Sequence, residues 1–143
     1  MRPARTVRTV VLDNEAVGAL RSTSHPKHAQ VIAHVQVVAH RKRKAFLLDL
    51  VVPTAVRVEA GWDRRAPAAA LINHLRIRDV PLESATADVA AALVARLQMS
   101  VADAHIGATV QAVAGHGPVA IITSDPGDMA AVAHPASATI VTI

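Results

Sequence analysis

Four acidic residues stand beside otherwise apolar segments that lie far apart in the chain. They are Asp13, Glu59, Asp103 and Asp125. Carboxylates brought close together repel each other and raise one another's pKa, so a fold that gathers them gains from a divalent cation. Hard oxygen ligands suit Mg²⁺ or Mn²⁺, which can activate water and stabilise the charge that develops on a phosphodiester. If the four acids meet, the chemistry they indicate is phosphodiester hydrolysis.

The elements that would position these acids alternate between strands and helices. Strands are predicted for residues 6–12, 45–52, 77–81, 119–123 and 138–143, where β-branched and apolar residues dominate. Helices are predicted for residues 15–20, 24–44, 54–61, 67–75, 86–97 and 101–114, and a last one begins at 125 or 126. Ser24 is the predicted amino-terminal cap of the second helix. Such alternation is typical of an α/β fold, a three-layer α/β/α sandwich with a central, mainly parallel sheet, and predicts one domain over residues 1–143.

The acids occupy positions that lead to one edge of this sheet. Ligands of such sheets bind outside the carboxyl ends of the strands. Asp13 closes the first predicted strand and Asp125 follows the fourth, so both should reach that edge. Glu59 lies about two helical turns after the second strand, and Asp103 lies in the first turn of its helix. A shared acidic pocket is therefore expected.

Each acid also has a purely structural interpretation, which the spacing leaves open. Asp13 could be a turn residue, and Glu59 could be a solvated helix residue. Asp103 could stabilise the amino end of its helix electrostatically. Asp125 and Asp128 are spaced like the cap and the third residue in a capping box. The spacing alone therefore does not name an enzyme.

Composition and charge exclude several other classes of protein and of functional site. The hydrophobic content of 52% is too high for a disordered chain, and the core must consist of Val, Leu, Ile and Ala because Phe46 and Trp62 are the only aromatic residues. The chain has no cysteine, which excludes disulfides and thiolate chemistry. No signal peptide or membrane-spanning run is recognisable, so we expect a cytoplasmic protein without a membrane partner. The net charge of +4 weakly favours a polyanionic partner.

Other phosphate-handling motifs are missing from the sequence. It contains no Gly-Lys pair for a P-loop and no G-x-G-x-x-G after a strand. A haloacid-dehalogenase-like phosphatase would need a second Asp where Glu15 stands, and a receiver domain would need a lysine beyond Lys44. His105 follows Asp103 by two residues and so points to another face of the helix, which predicts a structural or surface role.

Four segments together resemble the motifs of PIN domains, in particular those of VapC-like toxins from bacterial toxin–antitoxin pairs. The segments are VVLD at 10–13, VPTAVRVE at 52–59, VADAHIGA at 101–108 and IITSD at 121–125. They span nearly the whole chain in the order and at the spacing of that family. One departure is Asn14, where the family often carries a small hydroxyl residue.

The resemblance implies an Mg²⁺-dependent (or Mn²⁺-dependent) endoribonuclease. Asp13, Asp103 and Asp125 would hold the ion, and Glu59 would orient metal-bound water or complete the coordination shell. Such toxins are typically homodimers that cut RNA and are silenced by a small antitoxin protein.

The resemblance also implies two supporting residues: Thr123 would stabilise the site by hydrogen bonding, and Asp128 would be an auxiliary acid. Two alternatives stay open. The chain could be a non-catalytic PIN module that binds RNA or a protein partner, or it could be an acid-pocket phosphatase or phosphoacceptor domain.

Overall fold

A five-stranded, all-parallel sheet forms the centre of the protein in a computed structural model that describes residues 8–43 and 48–143. The strands are β1 (Arg8–Leu12), β2 (Leu48–Pro53), β3 (Arg78–Val80), β4 (Val119–Thr123) and β5 (Thr139–Thr142). Their order across the sheet is β3-β2-β1-β4-β5. The predicted parallel sheet is therefore confirmed, although the predicted strand residues 6–7 and 45–47 lie outside the described part.

Seven α-helices flank this sheet among the described residues. They are α1 (Asn14–Arg21), α2 (His28–Arg43), α3 (Thr54–Ala60), α4 (Ala70–Asn73), α5 (Ser84–Leu97), α6 (Val101–Val113) and α7 (Pro126–Ala133). Short 3-10 turns lie at Pro67–Ala69 and Ala114–His116. The layering is that of the predicted α/β/α sandwich. Position 44, the predicted end of the second helix, lies outside the described residues.

The strand order creates a crevice at the carboxyl ends of β1 and β4. The chain builds β2 and β3 on one side of β1 and then crosses over to place β4 on the other side. Ligands of doubly wound sheets bind at such a reversal of strand order. Leu12 pairs with Ile122, and the Asp13 amide donates to the Ile122 carbonyl at 3.3 Å. Asp13 and Thr123 therefore leave the sheet side by side.

Apolar residues fill the strands because helices cover both faces of the sheet. All five residues of β4 are buried, as are the last four of β1. Near-continuous burial of this kind is characteristic of parallel strands. On one face, Gly107 of α6 lies against the Val132 backbone of α7, so a small residue is needed where these helices meet.

The start of the second helix differs from its prediction. Ser24 is exposed and lies in a turn, with its Oγ 2.9 Å from the Ser22 Oγ, and α2 begins only at His28. The prediction of Ser24 as the amino-terminal cap was wrong. Proline disfavours the helical conformation in the residue before it, so Pro26 keeps His25 out of the helix. The His25 amide instead donates to the Ser22 carbonyl at 3.1 Å, which closes a turn before the helix.

Candidate metal centre

Asp13 caps α1 and also faces the crevice. Its Oδ1 accepts a 2.8 Å hydrogen bond from the Ala16 amide, and the residue is only 6% exposed. Burial raises the pKa of Asp13, hydrogen bonds from the Thr123 side chain and from the Ala16 and Ser124 amides lower it, and the charge of Asp103 raises it further. The net effect is that the pKa of Asp13 is raised above its usual value. The turn interpretation of Asp13 is thus correct locally, and the same carboxylate also lies within electrostatic reach of Asp103.

Thr123 connects the ends of β1 and β4. The residue has no exposed surface, and its Oγ1 accepts a 2.9 Å hydrogen bond from the Asp125 amide. Its side chain also hydrogen-bonds Asp13 and thereby holds the pKa of that carboxyl down. One buried hydroxyl therefore fixes the backbone that carries Asp125 and stabilises the charge on Asp13.

Asp103 lies in the first turn of α6, where Ser100 caps the helix. The Ser100 Oγ accepts from the Asp103 amide at 3.1 Å. Burial raises the pKa of Asp103, and the charges of Asp128 and Asp125 raise it further, while a hydrogen bond from Ser100 opposes the rise. Ser100 was not identified as a site residue from the sequence, although the cap rule for a serine three residues before an acid would have found it.

Asp125 and Asp128 form an acid pair at the amino end of α7. Asp125 is the cap residue of α7 and Asp128 is in its first turn, as the capping-box interpretation places them, but the Asp125 side chain makes no cap hydrogen bond. A hydrogen bond with Asp125 and the charge of Asp125 both raise the pKa of Asp128. The neighbouring Asp125 therefore disfavours the charged form of Asp128. We call Asp13, Asp103, Asp125 and Asp128 the aspartate cluster.

Glu59 stands apart from the aspartate cluster. It is exposed on α3 and lines a groove of about 510 Å³ together with Ser100 and Ala102 of the α6 start. Glu59 contributes to none of the pKa shifts of Asp13, Asp103 or Asp128. Of the predicted acids, the aspartates lie within electrostatic reach of one another, whereas Glu59 lines a groove to which none of them contributes.

The described side chains are of the chemical type that binds a divalent ion, but they do not form a complete set of protein ligands. Across residues 8–43 and 48–143, no three His, Asp or Glu side chains are close enough together to hold one metal ion. The aspartate cluster is nevertheless made entirely of hard oxygen donors whose repulsion a cation would relieve. Mg²⁺ keeps several waters and often takes only one or two carboxylates directly. The arrangement suits a hydrated ion better than an all-protein cage.

The carboxyl end of α3 is fixed by a network of charged and aromatic side chains. Arg57 and Arg64 lie 5.3 and 4.2 Å from the centre of the Trp62 ring, and each donates to Asp79 of β3 at 2.8 Å. Gly61 ends the helix with a φ of 69°, in the left-handed region that favours glycine. Trp62 is a buried anchor, and the network fixes the helix that carries Glu59.

Comparison with known proteins does not identify the chain. No family model matches it, and no curated protein is similar enough to count as a relative. Within the described residues, every helix is too short or too polar to cross a lipid bilayer.

Proposed function

We propose that this chain is a metal-dependent endoribonuclease of the PIN class, the toxin of a toxin–antitoxin pair. The single observation that carries the proposal is the aspartate cluster. Its carboxylates come from the ends of β1 and β4 and from the first turns of α6 and α7, and they influence one another's ionisation. Negative charge gathered from four segments at the crevice of a parallel sheet favours a cation-binding function over a purely structural one.

The residues divide the work in the proposed reaction. Asp13, Asp103 and Asp125 would hold a hydrated Mg²⁺ or Mn²⁺, one or two of them directly and the rest through metal-bound water. The bound ion would supply an activated water and stabilise charge at the phosphodiester. The Thr123 side chain opposes the rise in the pKa of Asp13 and so favours the charged form that would bind a cation. Glu59, which lines the groove beside the start of α6, would orient metal-bound water or complete the coordination shell.

The charge balance outside the site supports RNA as the substrate. Setting aside the aspartate cluster and Glu59, six acidic residues remain against fifteen basic ones. A basic surface around an acidic centre attracts a polyanion while the centre itself attracts cations. We further propose a homodimer in the cytoplasm, regulated by a small antitoxin protein.

An RNA cleavage assay tests the proposal directly. The wild type, Asp13→Asn and Asp103→Asn are compared in Mg²⁺ or Mn²⁺ and with a chelator. Asp63→Asn is the matched control, because Asp63 is exposed and pairs only with Arg65 among the described residues. Cleavage by the wild type and the control, lost in the chelator and in both other variants, supports the proposal. Equal cleavage by all four proteins would refute the assigned roles.

A non-catalytic PIN module is the second candidate, and the separation between Glu59 and the aspartate cluster favours it. Such a protein would bind RNA or a protein partner without cutting RNA. Salt-dependent RNA binding by both the wild type and Asp13→Asn, with no cleavage by either, would support this alternative.

A further inference from the structure

His105 connects two helices that form opposite sides of the groove. It belongs to α6 and has no exposed surface. Its Nδ1 accepts a hydrogen bond from the Ala55 amide of α3 at 3.3 Å. Its Nε2 is buried and has no hydrogen-bond partner among the described residues. This hydrogen bond to a buried imidazole is a specific connection between α6 and α3.

This hydrogen bond supplies a cap that α3 does not provide itself. The residue before the helix is Pro53, which makes no side-chain cap bond. The first amides of a helix have no partner within it, so the Ala55 amide needs an acceptor from elsewhere. A second connection lies beside it, because the Leu82 amide donates to the Thr54 hydroxyl at 3.3 Å. The amino end of α3 is therefore held by side chains and backbone distant in sequence.

The connection requires one particular form of the imidazole. Nδ1 can accept only if it is unprotonated, so the proton of the neutral ring is on Nε2. The neutral ring with an Nε2 proton is thus the form compatible with the geometry.

The positions of His105 and Ala55 relate the connection to the acids. His105 follows Ala102 by three residues, and Glu59 follows Ala55 by four, so each pair shares a helix face. Ala55, Glu59 and Ala102 all line the groove. Asp103 comes directly after Ala102. Any rotation of α3 about its axis would carry Glu59 toward or away from Asp103.

We propose that His105 is a positioning residue, which fixes α3 and therefore Glu59 relative to the turn of α6 that carries Asp103. The inference rests on the proposed ribonuclease function, because Glu59 acts on metal-bound water only there. His105 performs this role through its Nδ1, which accepts the hydrogen bond from Ala55, and it does not need to contact the substrate.

Two substitutions separate the acceptor from the bulk of the ring. His105→Asn places an amide oxygen near the Nδ1 position, whereas His105→Gln extends its amide to the Nε2 position and leaves the Ala55 amide without its partner. We expect His105→Gln to lower kcat by about tenfold to a hundredfold with little change in KM, as displaced catalytic groups do. We expect His105→Asn to restore most of the rate. Equal loss in both variants would overturn the assignment to Nδ1.

A double-mutant comparison tests whether the effect runs through Glu59. In a Glu59→Gln background, His105→Gln should cause no further loss of kcat, because the group it positions is already disabled. If the two losses multiply, His105 acts by another route and the proposal is wrong.

Hydrogen exchange of the Ala55 amide makes the test independent of catalysis. The Ala55 amide should be protected in the wild type and in His105→Asn and should exchange faster in His105→Gln. The exchange rates of the α6 amides should be the same in all three proteins. If the wild type cleaves no RNA, the proposed function fails while this measurement still decides whether His105 holds α3. Equal exchange in all three proteins would overturn the inference whatever the activity.

Discussion

The amide of Asp125 donates a 2.9 Å hydrogen bond to the hydroxyl oxygen of Thr123, a residue with no exposed surface. The same side chain hydrogen-bonds Asp13 at the end of the neighbouring strand. Since β1 and β4 are the two strands between which the sheet order reverses, this hydroxyl lies where the two sides of the crevice meet.

Thr123→Val should remove the hydrogen bonds at the candidate site without leaving a cavity in the core. Valine fills a similar volume but removes one of the hydrogen-bond donors to Asp13 and leaves the Asp125 amide without an acceptor, so the pKa of Asp13 should rise further. The free energy of unfolding at neutral pH should fall by about 1–3 kcal/mol. NMR titration of the Asp13 carboxyl and urea unfolding measure the two effects. Thr123→Ser keeps the hydroxyl and is the control; an unchanged Asp13 titration in Thr123→Val would contradict this role.

The contribution of Asp13 to the stability of the ion-free protein should fall as the pH rises. The pKa of Asp13 is raised above its ordinary value of 3.8 in the folded state, mainly by burial, so the folded protein binds this proton more tightly than the unfolded chain. The stability linked to that proton is fully present below 3.8 and is lost as the pH rises through the folded pKa. Asp103 acts in the same direction. Urea unfolding from acid to neutral pH, with and without Mg²⁺, measures the loss and its reversal by the ion.

Asp13→Asn should be more stable than the wild type at neutral pH without metal. The amide oxygen can still accept from the Ala16 amide, while the buried charge is removed. Asp13→Ala removes the cap as well, which costs about 1 kcal/mol. It should therefore be less stable than Asp13→Asn. A destabilised Asp13→Asn would show that the carboxylate is not strained by burial in the way the raised pKa indicates.

Most of the fold was predictable because local signals agree with the final packing. The apolar run before Asp13 and the run that ends at Thr123 are buried strands, as their composition indicates. Gly61 ends α3 at the predicted place, since its positive φ suits glycine. The start of α2 departs from its prediction because two local signals conflict. Ser24 favours a helix start, but Pro26 disfavours the helical conformation of His25, and the second effect prevails.

The candidate site was predictable where the backbone alone determines it. Asp13 and Asp125 follow adjacent parallel strands, so the strand order alone brings the strand ends that carry them to the same edge of the sheet. The position of Glu59 depends on how α3 is rotated, and its own sequence does not encode that rotation. The partners that determine it, His105 and Asp79, lie 46 and 20 residues further along the chain. The role of His105 was therefore visible only after folding.

Gly107→Ala should be strongly destabilising. A Cβ at this position would lie 2.6 Å from the Val132 carbonyl oxygen and 2.7 Å from a Leu93 methyl, and a carbonyl cannot move aside cheaply. Overpacking of this kind costs about 1–3 kcal/mol, which outweighs the helix preference of alanine. Gly18→Ala is the matched control in α1, where the added methyl meets nothing within 4 Å and should stabilise by about 0.5–1 kcal/mol. Thermal unfolding of both variants decides the comparison.

Asp79→Ala should loosen α3 and shift the signal of the only tryptophan. Asp79 accepts from Arg57 and Arg64, and both guanidinium groups lie over the ring of Trp62, so its loss leaves two neighbouring cations without their common partner. These side chains are partly exposed, which limits the expected loss to about 1 kcal/mol. Trp62 fluorescence in a urea titration reports both the local environment and the unfolding midpoint. Asp63→Ala breaks an ion pair with Arg65 that is fully exposed and should change neither. If Asp79→Ala also changed neither, the network would not be what holds the carboxyl end of α3.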